Sequence, residues 1–405
     1  MNSTDTPADR TRHLCVMNAG SSSLKFGVYL PDDGLKLWRS GAVEGIGGAA
    51  RLRVMSEDGR ETHAGQHTVP DHGAALRLLE GLEDGPMTRG NLMAFGHRVV
   101  HGGAAHDAPV RIDEASLGRI EALSALAPLH NPPAVAVIRE LMRLFPETPQ
   151  VACFDTAFHR SHPAVADRFA IPDALYREGV RRYGFHGLSY EFIAGALGEV
   201  APEIALGRVV VAHLGSGASM CALAGGRSVD SSMGFTALDG LPMGTRSGSL
   251  DAGVILWLQQ QKHWSVDRVE HFLYQDCGLK GLSGVSNDMR TLLASPEPLA
   301  HLAVEYFVYH VARMAGALAA SMGGIDGFVF TAGIGERSAE IRARVLRRLG
   351  WIGFSLDETA NQNGGPKLTR PDSRLPAYVI PTDEELVIAR HTQALVQPPE
   401  TGGLV

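Results

Sequence analysis

A strand, a turn of glycines and serines, and a returning strand occur once in each half of this sequence. In residues 14–30, an apolar run leads into the turn AGSSS, and the alternating strand LKFGVYL follows. In residues 208–223, the run VVVA leads into HLGSG, and MCAL follows. Apolar, β-branched runs that glycine interrupts are typical of paired strands. Since two similar domains explain this recurrence better than two unrelated turns, the sequence predicts a duplicated α/β fold.

Both turns also have the composition of a phosphate site. Glycine lets backbone N–H groups approach an anion closely, and the hydroxyls of Ser216 and Ser219 add donors in the second turn. Lys25 lies beside the first turn. We therefore expect each domain to offer a phosphate-binding hairpin to a shared cleft. The alternative for the first turn is an ordinary β-hairpin with a polar turn.

Composition narrows the class of function. The chain has 405 residues, more than a single hydrophobic core usually organises, which agrees with two domains. The net charge of -7 argues against a nucleic-acid partner, because such a binding face needs a basic excess. The four cysteines form no CxxC pair, so neither a zinc site nor a disulfide framework is indicated, and a reducing cytoplasm fits. No apolar run approaches the roughly 20 residues that cross a bilayer, so we expect no membrane partner.

Charged residues inside apolar strands of the first half are candidate site residues. Arg98 can hold a carboxylate or phosphate through two parallel hydrogen bonds, or it can form an internal ion pair. Asp155 is costly to bury unless it is paired, so it is either an ion-pair partner or a site residue. His97 and His101 have a metal-like spacing. Because they lie on a predicted strand, where they share no helical face, zinc is the lesser interpretation.

Three stretches of the second half indicate ligand binding. His186 lies between glycines just before a predicted helix, where it is either a site residue or a capping residue. Residues 230–253 are rich in glycine and carry Arg246, which favours a loop shaped by its ligand. The segment TAGIGERSAE predicts a strand, a glycine turn and a helix N-terminus, the general geometry of a nucleotide contact. Residues 278–290 are predicted to form a polar loop.

The last predicted helix begins near a pair of glutamates. Thr382 is predicted to start this helix, with Glu385 at the capping-box spacing. Glu384, in the first turn, suits either the helix dipole or a magnesium ion.

Nine segments, which occur in order across roughly residues 14–395, resemble the acetate kinase family: VMNAGSSSLKFGVY, GHRVVHGG, LAPLHNPP, FDTAFH, YGFHGLSY, AHLGSGAS, GFTALDGLPMGTRSG, FTAGIGE and PTDEELVIAR. Each segment is a weak signal alone, whereas nine in order are specific. The resemblance implies the fold of the acetate and sugar kinase, Hsp70 and actin superfamily, with two duplicated RNase H-like domains. Residues 1–155 and 385–405 would form the acyl and phosphoryl side, and residues 156–384 the nucleotide side.

The resemblance implies a phosphotransferase with a carboxyl group as acceptor. It would transfer the γ-phosphoryl group of ATP reversibly to acetate, giving acetyl phosphate and ADP, with Mg²⁺, or Mn²⁺ in its place. A homodimer is also implied. The alternatives are a propionate kinase of the same fold and, more remotely, an ATP-sensing protein of the actin or Hsp70 type without catalysis.

The same resemblance implies the site residues by position. The implied catalytic residues are Arg98, His130, Asp155, His186 and Arg246. The implied acyl-binding residues are Arg98, Val100, Leu129, Phe185 and Ala237. The implied metal ligands are Asn18 and Glu384. The implied nucleotide-binding residues are Lys25, His213, Leu214, Gly215, Ser216, Gly217, Asp288, Met289, Arg290, Gly333, Ile334, Gly335, Glu336 and Arg337.

Three positions depart from the family pattern. Ser216 replaces an asparagine, and Arg337 replaces another asparagine; both changes bear on nucleotide affinity and on the choice of phosphoryl donor. Ala237 replaces a proline in the implied acyl pocket. Because alanine is smaller, we expect propionate to be accepted more readily than by a typical member of the family.

Overall fold

The computed structural model describes residues 12–82, 85–87, 90–128 and 130–397, which form two compact units. The first unit runs up to Ala157 and takes up the chain again at Asp383; the second runs from Phe158 to Thr382. The sequence placed these divisions at 155/156 and 384/385, so the structure puts Glu384 in the first unit instead of the second. The reason is local, because Asp383 caps the helix that Glu384 begins and this helix packs on the first sheet.

The strands are grouped into two sheets, one in each unit. Their bounds are β1 His13–Gly20, β2 Ser23–Leu30, β3 Lys36–Glu44, β4 Gly48–Ser56, β5 Glu61–Val69, β6 Leu92–Val99, β7 Val110–Arg111, β8 Gln150–Phe154, β9 Arg208–Leu214, β10 Ala218–Ala224, β11 Arg227–Ser231, β12 Gly327–Thr331 and β13 Ala377–Val379.

The two sheets share one strand order. In the first unit the order is β5-β4-β3-β2-β1-β6-β8-β7, and in the second it is β11-β10-β9-β12-β13. In each, a first strand pairs antiparallel with its hairpin partner on one side and parallel with a later strand on the other. A second parallel strand follows in both sheets. The duplicated α/β fold predicted from the two glycine turns is therefore confirmed.

The α-helices pack on these sheets and connect their strands. Their bounds are α1 His72–Glu80, α2 Glu114–Ala122, α3 Asn131–Leu144, α4 Asp173–Arg177, α5 Gly187–Val200, α6 Ala252–Lys262, α7 Val266–His271, α8 Gly278–Ser283, α9 Met289–Ala294, α10 Pro298–Ser321, α11 Ala332–Arg337, α12 Ala339–Arg348, α13 Glu358–Gln362 and α14 Glu384–Val396. Among the described residues, no helix is long and apolar enough to cross a bilayer.

The start of α14 differs from the predicted capping box. The N-cap is Asp383, whose carboxylate accepts a hydrogen bond from the backbone N–H of Leu386 at 2.9 Å. Thr382 lies outside the helix, and its N–H donates to Glu336 instead. The prediction of Thr382 as the cap was wrong because aspartate is an equally good N-cap one residue later.

The prediction of a polar loop at residues 278–290 was also wrong. This stretch contains the short helix α8 and the start of α9, which Asp288 caps by accepting from the N–H groups of Arg290 and Thr291. Gly278 begins α8 with a positive φ of 62°, and a Cβ there would strike the backbone carbonyl of Met243. Glycine is therefore required by a close backbone approach, and it does not mark a loop here.

Helix α14 packs closely on strand β6 at Gly96. A Cβ built on Gly96 would lie 2.7 Å from Cγ2 of Ile388 and would also overlap the hydroxyl of Thr392. Both neighbours are on buried turns of α14. Because the helix and the sheet have no room to separate here without losing core contacts, Gly96 fixes their spacing.

We predict that Gly96→Ala lowers the free energy of unfolding by about 1–3 kcal/mol through overpacking. Urea denaturation monitored by circular dichroism measures this. Gly195→Ala is the matched control, since a Cβ at Gly195 on α5 meets no atom within 4 Å. That control should be neutral or stabilising by up to about 1 kcal/mol, because alanine favours helix over glycine. Equal stability of the two variants would contradict the packing argument.

Candidate active site

Arg98 and Asp155 form a bidentate ion pair at the carboxyl ends of adjacent parallel strands in the first unit. Arg98 lies on β6, and Asp155 follows β8 directly, with its N–H donating to the carbonyl of Val99 at 3.1 Å. Nε of Arg98 donates to Oδ1 of Asp155 at 3.0 Å, and Nη2 donates to Oδ2 at 2.6 Å. The carboxyl edge of parallel strands is where α/β folds commonly hold ligands.

The environment of this pair keeps Arg98 charged. Its side chain is 20% exposed, whereas that of Asp155 is 1% exposed. Burial alone would lower the pKa of the Arg98 guanidinium, but the carboxylates of Asp155 and Glu384 outweigh it, and the pKa is raised. Oε2 of Glu384 lies 3.7 Å from Nε of Arg98. Nη1 takes part in neither bond to Asp155, so this edge of the guanidinium is the one that suits an anionic ligand.

Asn18 lies near the end of β1, the strand next to β6. It pairs across the hairpin with Lys25, which is exposed beside the turn. Its amide oxygen and the carboxylate of Glu384 are hard oxygen donors, the kind that Mg²⁺ prefers. Since Mg²⁺ is usually held by one or two protein oxygens together with water and substrate phosphates, this donor set fits it.

Zinc does not fit the predicted histidine pair. Nε2 of His97 is hydrogen-bonded to Oε1 of Gln150 at 2.7 Å inside the core. The ring of His101 is instead used locally, with Nδ1 accepting from the N–H of Gly103. Within the described ranges no group of three or more His, Cys, Asp or Glu side chains could hold a metal ion.

Two of the remaining predicted residues of the first unit, Val100 and His130, lie next to a pair of hydrogen bonds between the backbone of His101 and the side chain of Asn131. The N–H of His101 donates to the Asn131 side chain at 3.1 Å, and the Asn131 amide donates back to the carbonyl of His101 at 3.1 Å. Val100 and His130, which precede these two residues, are therefore held near each other. Val100 is buried, and His130 is the N-cap residue of α3. Leu129 lies outside the described residues.

In the second unit, His186 and His213 stack at the glycine turn between β9 and β10. Their ring centroids are 4.2 Å apart, with an angle of 12° between the planes. Nδ1 of His186 is 2.8 Å from Oγ of Ser219, and Nδ1 of His213 is 2.8 Å from Oγ of Ser189. His186 itself has a left-handed backbone, with φ at 56°, as the N-cap residue of α5.

Ser219 was predicted to donate directly to an anion at the turn, and this prediction was wrong. The side chain is fully buried in β10, and its Oγ is engaged by His186 and by the hydroxyl of Tyr190. The alternation of a strand explains the difference. In the returning strand β10, Ser219 points into the unit toward the start of α5, where His186 is the N-cap residue and Tyr190 lies within the helix.

Arg246 and His186 face the same small space above Gly217. A Cβ built on Gly217 would lie 3.3 Å from Nε2 of His186 and 4.0 Å from Nη1 of Arg246. Nη1 of Arg246 also donates to the carbonyl of Ala237 at 3.0 Å. The loop that carries Arg246 is held by the Thr245 hydroxyl, which donates to the carbonyl of Tyr274 at 2.7 Å. The second predicted acyl residue, Phe185, is buried directly before His186.

A cavity of about 660 Å³ lies beside the same glycine turn, within the second unit. Eight of its lining residues belong to the predicted nucleotide set: Gly215, Ser216, Asp288, Met289, Arg290, Gly333, Ile334 and Arg337. The structure adds Leu293, Ala294, Ser338, Ala339 and Glu340 to this lining. The predicted residues His213, Leu214, Gly217, Gly335 and Glu336 do not line it, and Lys25 belongs to the first unit.

Asp288 and Arg290 are joined to each other at the rim of this cavity. Nη2 of Arg290 donates to Oδ2 of Asp288 at 2.7 Å. This hydrogen bond, with those from two backbone N–H groups, lowers the pKa of Asp288 to about 2. Among the described residues Arg337 has no such carboxylate partner and is exposed at the rim, so it is the cation there that suits a phosphate.

Glu336 and Arg342 hold the glycine turn of α11 from its two ends. Oε1 of Glu336 accepts from the N–H of Ala332 at 2.9 Å and from the N–H of Thr382 at 3.2 Å. Ala332 has a φ of 63°, a left-handed conformation that costs energy for a residue with a Cβ. Buried Arg342 donates to the carbonyls of Gly335 and Glu336. The Glu336 carboxylate is therefore used to shape the turn and is directed away from the cavity.

The fold and these sites place the chain in a class. Two units that share a five-strand order, basic side chains at the candidate site and a nucleotide-sized cavity are consistent with a phosphotransferase of the duplicated actin-like fold, the class to which the family match assigns the chain. The chain belongs to the acetokinase family, whose model matches residues 13–390. Kinases of this family use ATP as co-substrate.

Close relatives are similar over nearly the whole chain. An acetate kinase from Nitrobacter hamburgensis is 57% identical over 389 residues, which is 95% of this chain and 96% of that protein. The crystal structure of a propionate kinase from Francisella tularensis has a TM-score of 0.89 at 36% identity, covering 95% of this chain and 99% of that one. An acetate kinase structure from Porphyromonas gingivalis has a TM-score of 0.86 at 32% identity, covering 95% and 100%.

We predict that Arg342→Lys lowers the free energy of unfolding by about 1–3 kcal/mol, because buried carbonyl groups lose their donors. The Arg342 guanidinium also contacts both the side chain and the carbonyl of Asn361, which a single ammonium group cannot reproduce. Urea denaturation measures the change. Arg347→Lys on the same helix is the control, since Arg347 forms an exposed pair with Glu358. If both variants lost less than about 0.5 kcal/mol, the range of an exposed pair, the structural role of Arg342 would be refuted.

Proposed function

We propose that the protein is an acetate kinase, which transfers the γ-phosphoryl group of ATP reversibly to acetate. The observation that carries this proposal is the arrangement at Gly217, where His186 and Arg246 face one space beside the nucleotide-sized cavity. Donors around the transferring group are what this reaction requires, because charge spreads over the equatorial oxygens of the phosphoryl group.

The proposed reaction is a direct in-line displacement. An acetate oxygen forms a bond to the γ-phosphorus, the bond from that phosphorus to the bridging oxygen breaks, and ADP leaves with the electron pair. Acetate is already ionised at neutral pH, so the step needs no general base. Arg246 and His186 would donate to the equatorial oxygens, and the lining of the cavity, with Arg337 at its rim, would hold the nucleotide.

In the first unit we assign the acyl and phosphoryl side. Arg98 would hold an anionic group through its Nη1 edge, while Asp155 orients the guanidinium through the bidentate pair. Val100 and His130 would line the same site. Asn18 and Glu384 would hold Mg²⁺, or Mn²⁺, which neutralises phosphate charge when bound. The cytoplasm is the proposed compartment, since the free cysteines suit a reducing environment.

The test is a hydroxylamine trap for acyl phosphate, run with ATP, magnesium and acetate, and with pyrophosphate as a second donor. We expect product with ATP. Arg246→Ala should lower kcat by about 10²–10³-fold, because it removes a donor to the transition state. Its KM values should change by less than about threefold. Arg347→Ala, which alters a distant exposed arginine, is the control; an Arg246→Ala enzyme with unchanged turnover would end this assignment.

Propionate is the second candidate substrate, and the observation that favours it is Ala237. This residue holds Nη1 of Arg246 through its carbonyl, so its side chain lies close to the proposed reacting group. A proline there would keep the carbonyl and add bulk. The relative from Francisella tularensis is described as a propionate kinase.

We predict that Ala237→Pro lowers the ratio of propionate to acetate kcat/KM by about tenfold, since one methylene in a pocket is worth about 1–3 kcal/mol. Both acids are measured in the same trap assay. Because the carbonyl that holds Arg246 remains, acetate turnover serves as the internal control. A ratio that the substitution leaves unchanged would show that Ala237 does not contact the acyl chain.

A homodimer is proposed, and an apolar stripe on α10 supports it. Leu299, Leu302, Tyr306 and Tyr309 are each 36–54% exposed and are spaced by three and four residues, so they share one helix face. Sedimentation equilibrium should give twice the 43.2 kDa mass of the chain. Leu302→Glu should give the monomer, whereas Leu206→Glu, at another exposed leucine, should not. A monomeric wild-type protein would exclude this proposal.

A further inference from the structure

We propose that Ser219 and Tyr190 are positioning residues that set the tautomer of His186. In this tautomer Nδ1 accepts a hydrogen bond and Nε2 carries the proton that faces the glycine turn. The inference deepens the proposed function, since it concerns how His186 becomes a donor to the transferring phosphoryl group.

The geometry is a chain of three hydrogen-bonded groups within the second unit: Tyr190, Ser219 and His186. The hydroxyl of Tyr190 is hydrogen-bonded to Oγ of Ser219, and Oγ of Ser219 is 2.8 Å from Nδ1 of His186. Tyr190 and Ser219 are both fully buried. Bulk water does not reach these two hydroxyls. The described partners of Ser219 Oγ are Tyr190 and His186, so if Ser219 accepts from one of them it donates its own proton to the other.

The chemistry of the groups selects that direction. A phenol is a better hydrogen-bond donor and a poorer acceptor than an aliphatic hydroxyl. Tyr190 therefore donates to Ser219, and Ser219 donates its own proton to Nδ1 of His186. A neutral imidazole that accepts at one nitrogen carries its proton on the other. Consequently, Nε2 of His186 is the protonated nitrogen.

Nε2 is also the nitrogen that faces the proposed phosphoryl site. It lies 3.3 Å from the position of a Cβ on Gly217, and Nη1 of Arg246 lies 4.0 Å from the same position. The opposite tautomer would place a lone pair there and would repel the phosphoryl oxygens. The hydrogen bonds from Tyr190 through Ser219 thus keep His186 as a neutral donor that needs no change of protonation during turnover.

The neighbouring imidazole restricts the ring in a second way. His213 stacks on His186, and its Nδ1 is itself 2.8 Å from the hydroxyl of Ser189. Its Nε2 is 3.8 Å from the Cβ position of Gly215, so both rings direct Nε2 toward the turn. Stacking limits rotation of the His186 ring about χ2 to two orientations that differ by a 180° flip. The hydrogen bond to Ser219 favours the one in which Nδ1 faces Ser219.

The direct test is NMR of the free protein labelled with ¹⁵N-histidine, with the His186 signals assigned by their loss in His186→Asn. We expect a protonated Nε2 and an accepting, non-protonated Nδ1 in the wild-type protein. In Ser219→Ala we expect the signals of a mixture of tautomers. This measurement uses no substrate, so its outcome is independent of whether acetate is phosphorylated.

The kinetic test uses a double-mutant cycle. Ser219→Ala should lower kcat by about tenfold, the effect of one lost hydrogen bond, while the KM values for ATP and acetate stay within about threefold. Tyr190→Phe should have a smaller effect. In the Ser219→Ala background, Tyr190→Phe should have none, because Ser219, through which Tyr190 acts on His186, is already absent.

Matched controls separate positioning from folding. Tyr183→Phe removes a buried hydroxyl that donates to the carbonyl of Gly179. Ser228→Ala removes a buried serine that contacts the imidazoles of His159 and His162. Both should leave the His186 signals unchanged. The proposal fails if wild-type His186 is protonated at Nδ1, if Ser219→Ala leaves the tautomer unchanged, or if the Ser219 and Tyr190 effects on kcat multiply.

Discussion

The pairing of buried charge is the constraint on which the candidate site of this protein depends. Asp155 is almost completely buried, and an isolated carboxylate in that position would cost several kcal/mol. Arg98 removes this cost with two parallel hydrogen bonds from the neighbouring strand. The pair also aligns the ends of β6 and β8, so the interaction that permits charge at this edge determines the direction in which the guanidinium faces.

The second unit meets the same constraint by different means. Arg342 is 2% exposed, and its described partners are carbonyl oxygens and the amide of Asn361, with no carboxylate among them. Burial consequently lowers its pKa, in contrast to Arg98. Its positive charge is spread over backbone dipoles at the end of α11. This arrangement gives rigidity to the glycine turn while leaving the carboxylate of Glu336 to hold the strained residue Ala332.

The fold was predictable where the signal was local. Short patterns in the chain were enough to predict the two glycine hairpins and the duplication that they indicate. Strands β3 to β5 were not assigned, although β4 carries a usable signal, since Ala50, Leu52 and Val54 alternate with exposed residues. The helix that begins at Gly278 was not predicted, because this glycine is required by the close approach of the Met243 carbonyl, which is distant in sequence.

The candidate site was likewise predictable only in part: short motifs identified its residues but not their hydrogen-bond partners. Family-like motifs pointed to Arg98, Asp155, His186 and Arg246, but they gave no information about the partners of these side chains. Ser219 follows His186 by 33 residues, and Glu336 bonds to a residue 46 positions away. The first contact depends on the register of β10 against β9 and on the packing of α5, and the second on the pairing of β12 with β13, the strands that precede Glu336 and Thr382. Short motifs contain none of these, and for this reason Ser219 and Glu336 looked like ligand contacts in the sequence.

The shared strand order has a consequence for how the two units diverged. Both keep the same five strands in the same arrangement, and the first unit adds β4 and β5 at one edge and β7 at the other. Insertion between central strands would break two hydrogen-bonded ladders, whereas growth at an edge breaks none. The strands that distinguish the two units therefore lie at the edges of the first sheet, and the five shared strands keep their order. The hairpin, at the centre of both sheets, is the part where the ancestral unit should be most recognisable.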